Sequence, residues 1–144
     1  MARRFVFFGI ADGAEGVLRL QCHLAQRGAA GTAPAEHLAR AERIARRALA
    51  HYAGGGLERQ PPAFNAIFLR NLLSLHAATA DTALRAEILA ALIGYADDLW
   101  ERRRDGRDRV RHPDRRAPTL LDQSAAVSVF ALLAWDPGDY GKLA

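Results

Sequence analysis

Apolar residues recur along the chain with the spacing of α-helices, and glycine- and proline-rich breaks separate the helical segments. The spacing predicts five helices, over residues 13–27, 35–53, 63–79, 82–103 and 119–134. Asp81 is a good N-cap candidate for the fourth helix, because its carboxylate can accept hydrogen bonds from free backbone N–H groups. No segment alternates apolar and polar residues over the length of a strand. The pattern therefore predicts an all-α fold.

The predicted helices differ in how much of their circumference is apolar. The 35–53 segment has one apolar face and one face rich in arginine, which is typical of an outer, half-solvated helix. In contrast, 63–79 and 119–134 carry large apolar residues on most sides, as expected for helices that are buried on several sides. Inner and outer helices are therefore expected to alternate, as in a layered toroid of helical hairpins.

Composition and charge indicate a single globular domain. The chain has 144 residues, half of them apolar and a quarter charged, with a formal net charge of +4. Cys22 is the only cysteine, which excludes an intramolecular disulfide and a thiolate metal cluster. The opening MARRFVFFGIADG lacks a normal signal sequence, and no segment has the apolar length of a membrane span. We therefore expect a cytoplasmic protein that does not associate with membranes.

The stretch YADDLW, residues 95–100, places two aspartates beside aromatic residues, as a glycoside-cleaving site can. At about 100° per residue, however, Asp97 and Asp98 point away from the apolar arc of their helix. Asp98 also lies four residues before Arg102, the favourable order for a surface ion pair. Catalytic carboxylates need a cleft between them, which a solvated helix face does not offer. The pattern predicts two solvated acids and no catalytic pair.

Several segments together resemble a known family. FNAIFLRN at 64–71, the following run over 72–100 that ends in YADDLW, and LLDQSAAVSVFALLAW at 120–135 are similar, in order and spacing, to segments of glycoside hydrolase family 76. ADGAEGVL at 11–18 resembles more weakly the opening of an earlier inner helix of that family. These enzymes are endo-α-1,6-mannanases.

The resemblance implies a partial (α/α)6 toroid of about three helical hairpins over residues 12–144, preceded by a poorly ordered extension over 1–11. It covers only the later half of a family domain. The family's catalytic Asp–Asp pair lies on an inner helix of the earlier half, which has no counterpart here, so we expect no catalytic residue and no hydrolase activity from the chain alone. Expected partners are an α-mannan-type glycan, and either a second copy or a complementary N-terminal half.

Polar residues on the inner helices are the candidates for a sugar groove. Arg70 and Asn71 lie in a narrow polar strip on the otherwise apolar 63–79 segment, so they either bind sugar hydroxyls or bridge neighbouring helices. Asp122 and Gln123 open the last inner helix, where they either face the groove or cap the first turn. These four residues are the predicted substrate-binding set.

Other chemistries find little support in the sequence. The arginine-rich run over 102–116 contains interleaved aspartates and no aromatic residue to stack bases, which favours a self-paired solvated loop over nucleic-acid binding. The five histidines show no zinc-binding spacing, and no nucleotide-binding or nucleophile-elbow motif is present, so we expect no metal and no cofactor. The alternative to a truncated hydrolase is a non-catalytic helical module that binds a protein or a glycan.

Overall fold

A computed structural model describes residues 34–112 and 117–143, and this part of the chain is built from helices. The α-helices are α1 (Pro34–Tyr52), α2 (Pro62–Ala78), α3 (Thr82–Glu101) and α4 (Leu120–Ala134), and two 3-10 helices span Leu57–Arg59 and Pro137–Leu143. The all-α prediction is confirmed, and each predicted helix in this range matches to within two residues at either end. The predicted 13–27 helix and the 1–11 extension lie outside the described residues.

Helix α2 is the centre of the packing. It contacts α1, α3 and α4 and also the 3-10 helix over Pro137–Leu143. Leu69, Leu72, Leu73 and Leu75 are fully buried, because the apolar residues of α2 point to several neighbours at once. The prediction that this helix is buried on several sides is confirmed.

Helix α1 lies on the outside, as its two-faced pattern predicts. The buried face consists of Ala41, Ala45 and Ala48, whose small side chains let α1 approach its neighbours closely, while the arginines of the other face are exposed. A hydrogen bond ties this helix to the α2–α3 turn, where Thr79 Oγ1 donates to Glu42 Oε1 over 2.5 Å. The small buried face thus fixes α1 against α2 and α3.

Asp81 caps α3 as predicted. Its Oδ1 accepts a hydrogen bond from the Leu84 backbone N–H over 3.0 Å, and Arg46 of α1 pairs with its other oxygen. The backbone hydrogen bond from Leu84, and then Arg46, lower the pKa of Asp81 below its usual range. One carboxylate therefore both begins α3 and attaches α1 to it.

Helix α4 departs from its prediction. Its buried side is formed by Asp122, Ala125, Ala126, Val129 and Leu132, which face α2 and α3. Large apolar residues on the other side are open, with Leu120 87% and Val127 67% exposed. The prediction that this helix is buried on several sides is wrong for the described chain, since an apolar circumference leads to burial only where a neighbour covers it.

The 3-10 helix over Pro137–Leu143 packs against α2. Tyr140 is buried and meets His76 edge to face, with the ring centroids 5.3 Å apart. Burial, and then the positive charge of Arg85, lower the pKa of His76 below its usual 6.5. The folded environment of His76 therefore favours the neutral imidazole.

The lowered pKa of the buried His76 makes the free energy of unfolding depend on pH. Because the folded-state pKa lies below the unfolded value of 6.5, the unfolded chain takes up more protons, and stability falls as pH drops from above 6.5 towards the folded pKa. We expect the urea midpoint of the wild type to fall more between about pH 7.5 and pH 5.5 than that of His76→Phe. Tyr140→Phe, which keeps the covering ring, should retain the wild-type slope, and parallel profiles for the wild type and His76→Phe would contradict the assignment.

No helix in the described ranges combines the length and the apolar content needed to cross a bilayer.

Candidate functional site

An open groove runs between α2, α4 and the 3-10 helix over Pro137–Leu143, with a volume of about 420 Å³. Its lining consists of one aromatic, two cationic and otherwise small or aliphatic residues: Ala66, Ile67, Arg70, Ser128, Ala131, Leu132, Trp135, Lys142 and Leu143. A volume of this size lies within the usual range of small-molecule sites. The groove is therefore the main candidate for ligand binding.

The polar groups of the groove are donors placed around an apolar floor. The Arg70 Nη2 donates to the carbonyl oxygen of Leu143 over 3.0 Å, which fixes the guanidinium between α2 and the 3-10 helix. The Lys142 ammonium pairs with Asp139 over 2.7 Å, and Trp135 is 39% exposed. None of the described residues that line the groove carries a carboxylate side chain. This arrangement can stack an apolar ring face and donate hydrogen bonds from its cationic side chains.

Of the four predicted binding residues, the structure brings only Arg70 to the groove. Asn71 is the next residue of α2 and is 7% exposed, so its side chain lies in the packing of the helix and outside the groove lining. The predicted alternative role for Arg70, bridging neighbouring elements, is also seen in its bond to Leu143. Asp122 and Gln123 lie elsewhere on α4.

Asp122 forms a capping box with Thr119 at the start of α4. The Asp122 backbone N–H donates to Thr119 Oγ1 over 3.2 Å, and the Thr119 backbone N–H donates to Asp122 Oδ2 over 3.1 Å. Two otherwise free backbone donors are thereby satisfied. The capping role, one of the two roles predicted for Asp122, is confirmed.

Gln123 holds the arginine-rich loop. Its Oε1 accepts from the Val110 backbone N–H over 3.0 Å, and its Nε2 donates to the Val110 carbonyl oxygen. Val110 is itself buried and forms a bridge with Arg104. Gln123 therefore fixes the loop against the first turn of α4, a role that its position at a helix start did not reveal.

Asp98 corrects the prediction of two solvated acids. Asp97 is exposed as expected, but Asp98 is only 4% exposed. Its two oxygens accept from Arg102 Nε, over 2.7 Å, and from Arg103 Nε. The angular argument places Asp98 correctly on its own helix, but it could not foresee that the chain after α3 folds over that side. The predicted Asp98–Arg102 pair is confirmed.

Arg103 completes this cluster. Its side chain is 5% exposed, it donates to the Glu58 carbonyl oxygen, and its guanidinium carbon lies 5.8 Å from the ring centroid of Tyr95. Burial raises the pKa of Tyr95 to about 12. The cluster therefore fastens the 3-10 helix over Leu57–Arg59 to the end of α3.

The cluster of Asp98, Arg102 and Arg103, called the Asp98 cluster, borders a second cavity of about 470 Å³. Both acidic and basic side chains line this cavity. It is lined by Gly55, Glu58, Arg59, Asp98, Arg102, Arg103 and Arg111. Both carboxylate oxygens of Asp98 are already bound by arginines, so the group is committed to holding the fold. The doublet that suggested catalysis is thus divided into one solvated and one structural acid.

The prediction of a self-paired, solvated run over 102–116 holds only in part among its described residues, because Arg102 and Arg103 pair with Asp98 and Arg103 is buried. Arg104 pairs with Asp108 over 3.0 Å, and Arg109 pairs with Asp105 over 2.8 Å. Hydrogen bonds from the Arg109 backbone and side chain, with a further one from the Arg107 backbone, lower the pKa of Asp105 to about 2. Residues 113–116 of the predicted run lie outside the described range.

Within residues 34–112 and 117–143, no group of three or more His, Cys, Asp or Glu side chains is placed to hold a metal ion. A scan of protein-family models, a search of curated proteins and a search of solved structures each found no significant match to the chain. The function is therefore argued from the groove itself.

Proposed function

We propose that this chain is a non-catalytic helical module that binds a glycan in the groove between α2 and α4, and that it is a partial relative of the family 76 α-mannanases. The observation that carries the proposal is that Trp135, Arg70 and Lys142 line one open groove, in which the described lining residues include no carboxylate.

The chemistry of the groove fits a sugar. A pyranose has an apolar face of C–H groups that packs on a flat indole, and Trp135 offers a partly exposed one. The hydroxyls around the ring need directional partners, and the N–H groups that Arg70 does not use for Leu143 are donors of that kind. The aromatic platform gives affinity for the ring, and the guanidinium orients it.

The same geometry argues against hydrolysis by these residues alone. Glycoside cleavage uses two carboxylates on either side of the scissile bond. The buried carboxylates among the described residues are Asp98, which is bound by two arginines, and Asp122, which is in a capping box. In the proposal, catalysis of the family 76 type would require acids supplied by a complementary half of the toroid.

The test is a calorimetric titration with α-1,6-mannan oligosaccharides. We expect saturable binding by the wild type, and a loss of affinity of roughly tenfold or more for Trp135→Ala, because truncating a central aromatic anchor typically costs over 1 kcal/mol. Arg70→Met should weaken binding as well.

Trp100→Ala is the matched control. Trp100 is 49% exposed but packs against Phe130 and Arg104 and does not line the groove. The Trp100→Ala variant should therefore bind mannan oligosaccharides as the wild type does. An absence of saturable binding by the wild type, or an equal loss in the two tryptophan variants, would refute the proposal.

A further inference from the structure

The open face of α4 carries a regular seam. Leu120, Ser124, Val127, Ala131 and Ala134 are all exposed, and the intervals between them are four, three, four and three residues. This is the heptad spacing of the residues through which two helices pack along a shared seam. We call these five positions the α4 seam.

The α4 seam lacks the character of a solvated surface. None of its five residues is charged, whereas the exposed face of α1 is dense with arginine. Leu121, also on α4, adds a side chain that is 58% exposed. Contiguous apolar surface of this kind marks an interaction site.

We propose that a second copy of the chain docks on the α4 seam, with the two α4 helices antiparallel around a two-fold axis that passes beside Val127. The sizes of the residues set this orientation. Antiparallel pairing about Val127 places Leu120 opposite Ala134 of the other copy, and Ser124 opposite the half-buried Phe130. Each larger residue thereby meets a smaller one, which keeps the two helices evenly spaced along the contact.

Charge at the two ends of α4 favours the same orientation. The loop that Gln123 holds beside the first turn presents the exposed Arg107. After the last turn comes the exposed Asp136. An antiparallel pair brings the basic end of one helix to the acidic end of the other, and it also sets opposite ends of the two helix dipoles side by side. A parallel pair would place like charges together.

The first test is sedimentation velocity of the full chain across a range of concentrations. We expect the wild type to form a dimer, and Val127→Asp to raise the dissociation constant at least a hundredfold, because the substitution faces two carboxylates across the axis in an apolar contact. Val127 is open in the single chain, so the variant should keep the wild-type circular dichroism spectrum and urea midpoint. Ala90→Asp, on the exposed face of α3, is the control and should still dimerise.

The second test is disulfide cross-linking in a Cys22→Ser background. Val127→Cys should cross-link to itself, because residues on the axis approach within disulfide range. Leu120→Cys alone should not, but mixed with Ala134→Cys it should give a heterodimeric product. Self-linking of Leu120→Cys would overturn the antiparallel orientation. A wild type that stays monomeric at about 100 µM would overturn the interface altogether.

The proposed dimer rests on different observations from the proposed glycan site, and each proposal can be refuted without the other. Ala131 belongs to both the α4 seam and the groove lining, but Val127 does not line the groove. At concentrations where the wild type is monomeric, Val127→Asp should therefore bind mannan oligosaccharides as the wild type does. A dimeric wild type without sugar binding would refute only the proposed function, and a monomeric wild type that binds sugar would refute only the α4 interface.

Discussion

Replacing Asp98 with alanine is expected to lower the free energy of unfolding by about 3–5 kcal/mol, the usual cost of removing one partner from a buried ion pair. Both oxygens of Asp98 are bound by arginines, and Arg103 is as buried as the aspartate itself. Without the carboxylate, the Arg103 guanidinium keeps its position against Tyr95 and Glu58 and loses its counter-charge. An uncompensated charge in a buried position is what makes the substitution costly.

The neighbouring residue provides the matched control. Asp97→Ala removes the same group from the same helix, but Asp97 is exposed, so the change should stay within about 0.5 kcal/mol. Urea unfolding followed by circular dichroism measures both. Adding Arg103→Met to Asp98→Ala should recover much of the loss, since an apolar replacement removes the unpaired charge. Equal effects at 97 and 98 would show that Asp98 is solvated after all.

Replacing Leu92 with alanine is expected to cost about 2–5 kcal/mol, the range for deleting a buried leucine side chain. Leu92 lies on α3 and is completely buried in the core that α3 shares with α2. The cost has two parts, the lost burial of the removed carbon atoms and the cavity that they leave. Because the interior is closely packed, its neighbours can refill only part of that space.

Ile93→Ala is the control for Leu92→Ala, because it removes an aliphatic side chain of the same size from an exposed position on the same helix. Leucine and isoleucine have the same number of carbon atoms, but Ile93 is 47% exposed. Its truncation should cost less than about 1.5 kcal/mol, and the better helix propensity of alanine offsets part of that cost. The two urea midpoints should therefore differ clearly, and coincident midpoints would contradict the burial of Leu92.

The helices were predictable because their signals are local. Asp81, predicted as a cap, does cap the helix that follows it, and the break around Pro61 precedes α2. The spacing of apolar residues can be recognised from the residues of a single helix. Each of these features depends on a few neighbouring residues, which is why the predicted and observed ends agree closely.

The candidate site was less predictable because it depends on contacts between distant segments. Arg70 was found from its polarity on an apolar helix, whereas Ser128 and Lys142 were not, since nothing near them in the sequence distinguishes a groove from ordinary surface. Asp98 was predicted to be solvated but is buried, and the role of Gln123 was left open between groove and cap. Both depend on the arginine-rich loop, which has no periodic pattern from which its fold could be predicted. Their roles follow from where that loop folds.

The burial of Tyr140 against His76 has a consequence for synthesis on the ribosome. The two residues are about 60 positions apart, which at 5–20 residues per second means that roughly 3–12 s separate the appearance of α2 from that of the segment that packs on it. During this time the nascent chain presents the apolar side of its central helix without this covering. The core around α2 is therefore completed only after residues 137–143 have been made, so this part of the chain packs late in synthesis.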